Sequence, residues 1–180
     1  MNHYDDFFEI IFDRLMESEF NFNNSPQERK HWTGGAVGRG ELKGSKYGIS
    51  AMSYPDQDII NLTKEQAMEI YYYDFYSPFK DEFSIPQCVM FQFLDSVIEH
   101  GIHHSVVFLQ NALKVKPDGI LGSVTISAMK NAIPHEFVLH FIAERLDFIS
   151  NFSGGKIHSK KWQERTSRNV KYAVADLKKI

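Results

Sequence analysis

The chain has a single cysteine, Cys88, among 180 residues. It can therefore form no internal disulfide and no cysteine-rich zinc site. It has no apolar run approaching the roughly 18 residues that read as a membrane span. It has no basic excess. Twenty Lys and Arg against 23 Asp and Glu give a formal charge of −3, which argues against a dedicated nucleic-acid binder. It shows no secretory leader, because Met1 to Asp6 is polar and acidic, and Asp13 and Arg14 interrupt the apolar positions that follow. It carries no 20–50-residue repeat and no low-complexity tract. These absences lead us to expect a soluble protein made in a reducing cytoplasm, without stable membrane insertion.

What is present is apolar and aromatic. Apolar residues make up 43% of the chain and aromatics 14%, with 15 Phe and 8 Tyr. That is enough to bury a core in one domain or two small ones. Tyr4, Phe8, Ile11 and Leu15 recur at helical spacing, flanked by Phe7 and Phe12, with Asp6, Asp13 and Glu17 on the opposite face. Glu19 continues the apolar stripe. Residues 21–48 are polar and glycine-rich, which excludes a regular helix and leaves a long loop of the kind that is usually functional. Lys46-Tyr47-Gly48-Ile49-Ser50 reads as one arm of a short β-hairpin within it. Beyond the loop the pattern is helical. Thr63-Lys64-Glu65-Gln66 has capping-box spacing and opens a helix toward Tyr76, with Pro78 after its end. Further helices run from Pro86 to Gly101, through Ile102 to Leu113, from Ser123 or Thr125 to near Ile133, from Pro134, and from about Trp162 to Leu177. The fold class expected is mainly α, with a long irregular or hairpin-bearing loop near the N-terminus.

A carboxyl at a helix end, on its apolar side, loses hydration, and that raises its pKa. A general acid for glycosidic cleavage needs this property, and a hydrogen-bonded structural glutamate is the plainer reading of Glu19. Trp32, Tyr47 and Tyr54 have faces that stack on sugar rings or pack the loop. Tyr71 to Tyr73 read as core and surface alternation on a helix. Arg145 lies on an apolar helix face and needs a partner, for which Asp95 is suited, as a structural ion pair. His103-His104 and His135/His140 lack a convincing carboxylate or cysteine at ligand spacing, so no metal is expected, and no cofactor either. Asp118-Gly119 reads as a turn. Lys156, Lys160, Lys161, Arg165, Arg168 and Lys171 read as a solvated helix face.

The segment Glu19-Phe20-Asn21-Phe22-Asn23-Asn24-Ser25-Pro26-Gln27-Glu28 resembles the opening motif of glycoside hydrolase family 108, phage and bacterial N-acetylmuramidases. The family pattern is Glu-Gly-Gly-Tyr, five residues, then Asp. Glu19 falls on the catalytic Glu, Phe22 on the Tyr and Glu28 on the Asp. Gly44-Ser45-Lys46-Tyr47-Gly48-Ile49 resembles a longer-loop form of the family's Gly-Gly-x-Thr-x-x-Gly-Ile segment, with Ser45 for Thr. The second half is similar to a predicted peptidoglycan module: Phe93-Leu94-Asp95, Gly101, Leu109-Gln110, Asp118-Gly119-Ile120-Leu121-Gly122, Thr125, Arg145 and Trp162 with Arg165. Three departures stand out. Phe20-Asn21 replaces two glycines, Glu28 replaces Asp, and Glu99 replaces an Asn.

The resemblance implies a lysozyme-like fold, with a muramidase module over 1–95 and a helical peptidoglycan module over 96–180 packed as one unit. It implies cleavage of the β-1,4 bond between N-acetylmuramic acid and N-acetylglucosamine. Glu19 would be the general acid, Glu28 the second carboxylate with Glu41 behind it, and Ser45 would orient water or carboxylate. The substrate partner is peptidoglycan, the setting a phage lysin or a virion-carried lysozyme working with other virion or lysis proteins. A non-catalytic wall-binding or virion protein on the same scaffold, and a lytic transglycosylase, are the alternatives.

Overall fold

The first helix, α1 (Asp6–Glu19), begins where Asp5 accepts the backbone N–H of Phe8 at 2.9 Å. This is a side-chain cap on an otherwise unpaired donor. The same carboxylate accepts the Tyr76 hydroxyl at 3.0 Å. The helix buries Phe8, Ile11, Phe12 and Leu15 and keeps Asp6, Asp13 and Glu17 in water, as its periodicity requires. The structure, a computed structural model, describes residues 4–19, 21–83, 85–151 and 156–178, with the side chains of Glu19, Glu82, 156–159 and 161 outside that description. Phe20 also lies outside it, as does the whole Ser153-Gly154-Gly155 break.

Contacts divide the chain into two compact units, Met1–Tyr76 and Ser77–Ile180. The division expected at 95/96 falls inside a helix of the second unit. In the first unit α1 is followed by a long loop, a single 3-10 turn (Arg29–His31), strands β1 (Ser45–Lys46) and β2 (Ile49–Ser50), and helix α2 (Lys64–Ile70). The loop is held by isolated bridges, Asn23 with Ser45 and Trp32 with Leu42. The segment read as one hairpin arm belongs to both. Ser45 pairs with Ser50 and Lys46 with Ile49, and Tyr47-Gly48 is the two-residue turn, with φ of 55° and 77°. Two consecutive positive φ values are what a tight hairpin requires to match strand twist. Tyr47 accepts this strained conformation while its ring is buried and its carbonyl accepts the Tyr71 hydroxyl at 2.9 Å.

Thr63 caps α2 with a complete capping box. Beyond Ile70 the chain winds more loosely, as a π-helix over Tyr71–Tyr76. The ring of Tyr71 lies 5.6 Å from Phe12, and those of Tyr72 and Tyr76 lie 5.0 Å from Phe8. Tyr71 is buried and Tyr73 exposed, as core and surface alternation demands. Pro78 opens a further π-type turn (Pro78–Glu82) rather than marking a stop.

The second unit is built on α3 (Gln87–His100), which is buried from Cys88 through Val97, Gln92, Asp95 and Ser96 included. Gly101 ends it with φ 81° and immediately starts α4 (Ile102–Ala112). Then come α5 (Ser123–Asn131), α6 (Pro134–Asn151) and α7 (Lys156–Leu177). Helices α4, α6 and α7 all pack on α3. α7 starts six residues earlier than its amphipathic pattern suggests.

The motif residues of this unit form two polar networks, each centred on a buried side chain. Gln110, 1% exposed, donates to Asp118 Oδ1 at 2.8 Å and to the Ile120 carbonyl at 3.0 Å. Its own oxygen accepts the Gly119 N–H at 2.8 Å. The Leu-Gln element of α4 thus pins the Asp-Gly turn through the Gln110 side chain. In the other network Asp95 accepts Arg145 Nη2 at 2.8 Å, Arg165 Nε at 2.7 Å and the Asn169 amide. Glu99 accepts Arg165 Nη1 at 2.7 Å, which gives that departure from the family Asn a physical role. Arg165 therefore leaves the basic face of α7 and turns inward. Burial alone would push the Asp95 carboxyl up, but the Arg165 and Arg145 guanidiniums outweigh it and hold the group below its ordinary range.

His100 stands beside this network, edge-on to Phe108, Phe148 and Trp162. Burial, then the Arg145 charge, pushes its pKa from 6.5 down to about 3. As the pH falls below 6.5 the unfolded chain gains a proton here that the folded unit refuses, so stability is lost down to about pH 3. The slope is roughly 1.4 kcal/mol per pH unit for one such group. Urea midpoints measured from pH 7 to 4 should fall steeply for wild type and less steeply for His100→Phe. Equal slopes would remove His100 from the account.

Candidate active site

The site is assembled by the loop that follows α1. Asn23 Oδ1 accepts the Ser25 N–H at 3.0 Å, a side-chain turn typical of Asn. This reverses the chain so that Glu28 can precede the 3-10 turn. The backbone of Asn23 pairs with Ser45, N–H to carbonyl in both directions, at 2.8 and 2.7 Å. Its side-chain amide donates to Glu28 Oε1 at 3.3 Å. One residue thereby ties Glu28 and Ser45 to the same point.

His31 completes the cluster and is fully buried. Its Nδ1 lies 2.8 Å from the Ser25 carbonyl and its Nε2 3.1 Å from Ser45 Oγ. Glu28 Oε2 is 3.6 Å from the same Nε2 and 3.5 Å from Lys30 Nζ. The Glu28 carboxylate is 41% exposed, so it faces both the buried ring and solvent. The His31 carbonyl also accepts the N–H groups of Lys43 and Gly44 at 3.0 and 3.1 Å, which sets the distance between the 3-10 turn and β1. Nothing in the sequence motifs points to His31. Its signal was an i,i+3 spacing from Glu28 inside a polar loop, a weak cue because the partner that matters, Ser45, lies beyond the glycine-rich stretch.

The other candidates separate from this cluster. Glu19 ends α1, and its side chain is outside the described atoms. Glu41 is 75% exposed and pairs with Lys43 at 3.5 Å. Trp32 is half-buried and donates its indole N–H to the Pro26 carbonyl at 2.9 Å. Tyr47 is packed at the hairpin turn rather than presented on a surface. Tyr54 donates to Asp74 at 2.8 Å, and burial together with that carboxylate pushes its hydroxyl pKa up. A cleft of about 330 Å³ is lined by Phe22, Asn24, Leu42, Gln57, Asp58 and Ile60, among others. Phe22, the residue that falls on the family Tyr, is thus the aromatic beside an open cavity. Among the described residues no group of three or more His, Cys, Asp or Glu is placed to hold a metal ion. No described helix is long and apolar enough to cross a membrane.

The class defined by this architecture is a mainly α fold with one small antiparallel hairpin beside the candidate site. Among solved structures the chain is similar to Brucella abortus SagA, with a TM-score of 0.73 and 21% identity over 94% of each chain. At that identity the likeness establishes a shared fold. No protein-family model matches the chain, and no curated protein matches it.

Proposed function

We propose that the protein is a peptidoglycan hydrolase that cleaves the β-1,4 bond between N-acetylmuramic acid and N-acetylglucosamine. The observation that supports this most is the convergence of Glu28 and Ser45, distant in sequence, on one partly open cluster a few residues past the helix end that carries Glu19. Glycoside hydrolysis needs an acid to protonate the leaving oxygen and a second carboxylate to serve water or the oxocarbenium-like transition state. Glu19 is the acid in this reading. Glu28 is the second group, partly open to solvent, with Ser45 orienting the water. The setting is a phage lysin or virion-carried lysozyme, and the likeness to SagA supplies the common scaffold.

The test is digestion of purified peptidoglycan by wild type, Glu19→Gln and Glu28→Gln, with mass spectrometry of the soluble products. Reducing muramic-acid ends are expected from wild type. Each variant should lose about 10²- to 10⁴-fold in rate, with unchanged circular dichroism. Anhydro ends would make it a transglycosylase. No products from folded wild type would leave a wall-binding or virion protein, with Phe20 in place of glycine as the first residue to revert.

A further inference from the structure

The hydrogen bonds around His31 are directional. A carbonyl oxygen can only accept, so the Nδ1 that lies 2.8 Å from the Ser25 carbonyl carries a proton. In the neutral ring Nε2 is then a bare acceptor, and Ser45 Oγ, 3.1 Å away, must donate to it. That fixes the hydroxyl hydrogen toward the ring and turns the oxygen's two lone pairs away from it. Glu28 Oε2, 3.6 Å from the same nitrogen, meets a lone pair rather than an N–H. The carboxylate is therefore not tied to the ring. It is held by Asn23 at 3.3 Å and Lys30 at 3.5 Å, with acceptor capacity left for a water. The opposite tautomer would place an N–H between Ser45 and Glu28 and occupy both.

We propose that His31 is a positioning residue of this site: anchored by the Ser25 carbonyl, it accepts the hydrogen bond of the Ser45 hydroxyl and so leaves the Ser45 oxygen and Glu28 open to water and substrate. The proposal rests on the glycosidase reading for its catalytic part. A histidine that merely staples the loop would affect stability alone.

Two measurements separate these roles. In ¹⁵N NMR of histidine-labelled protein, a protonated Nδ1 and bare Nε2 are expected for His31, with the Nε2 resonance moving in Ser45→Ala. An Nε2–H tautomer, or no response to Ser45→Ala, overturns the proposal. In peptidoglycan digestion, His31→Leu should lower kcat by about tenfold or more with KM little changed. His31→Gln should recover most of that loss, because an amide presents a donor and an acceptor on one carbon as the N–C–N edge of imidazole does. In a Ser45→Ala background, His31→Leu should cost almost nothing further. A Gln variant as slow as Leu, or a Leu penalty undiminished by Ser45→Ala, overturns the positioning role. Wild type that cleaves nothing overturns the glycosidase reading and the catalytic part of this proposal with it. The NMR measurement then decides the hydrogen-bonding part alone.

Discussion

Asp95→Asn should destabilise the second unit by about 3–5 kcal/mol, the cost of leaving buried charge uncompensated. The substitution keeps the side chain's size. It removes the negative charge that faces Arg145 at 2.8 Å and Arg165 at 2.7 Å. Asp95 and Arg145 are 2% and 1% exposed, so water cannot replace the lost partner. Arg165 retains Glu99, and the penalty falls mainly on Arg145. A domain is stable by only about 5–15 kcal/mol, so this one atom exchange would remove a large share. Arg145→Met removes a buried cation together with its need for a partner, and leaves Asp95 with Arg165 and Asn169. It should cost less than Asp95→Asn. The double variant should be more stable than the sum of the two predicts, because the Asn no longer strands Arg145. Urea unfolding of the four proteins measures this. A cost below about 1 kcal/mol for Asp95→Asn would mean that solvent reaches the network.

Much of this was legible in the residues, and the failures have a common cause. The α1 stripe, the Thr63 capping box and the stop at Gly101 are local patterns, in which three or four neighbouring residues decide the outcome. The Asp95–Arg145 pairing followed from the cost of an unpaired charge on an apolar helix face. The π winding at Tyr71–Tyr76 was not readable, because it depends on how the tyrosine rings seat against Phe8 and Phe12. Arg165 reads both as one more cation on a basic face and, with Trp162, as part of the module resemblance, and nothing local shows that it turns inward. At the candidate site, Glu28 and Ser45 are nominated by a motif resemblance. The residue joining them is not, because the His31–Ser45 contact exists only once the glycine-rich loop has closed. The three aromatics nominated for sugar stacking were chosen by type. In the fold Tyr47 is packed at the hairpin turn, the Tyr54 hydroxyl reaches Asp74 and the Trp32 indole bonds Pro26.

Closure of that loop depends on Gly44, and Gly44→Ala should both destabilise the first unit and disable the site. Gly44 has φ +80°, a conformation that strains any residue with a Cβ. Backbone strain of this kind costs about 1–3 kcal/mol. A Cβ there would also sit 2.5 Å from the Asn23 carbonyl oxygen and 2.9 Å from the Phe22 ring. The first of these is backbone and cannot rotate away. To admit the methyl, residues 22–24 must lift off β1, which breaks the paired Asn23–Ser45 hydrogen bonds. The Asn23 amide is then withdrawn from Glu28, and Ser45 loses its register with His31. Gly38 is the internal control. It lies in the same loop with φ +77°, yet nothing stands within 4 Å of its Cβ position. Gly38→Ala therefore isolates the conformational cost, about 1–3 kcal/mol, and under the proposed function should leave peptidoglycan cleavage as in wild type. Gly44→Ala should cost several kcal/mol by the sum of strain and collision and lower the rate at least tenfold in the fraction that stays folded. Thermal unfolding and digestion of the two variants side by side give the answer. If they behave alike, strain rather than closure explains both, and the packing of 22–24 onto Gly44 is not what holds Glu28 and Ser45 together.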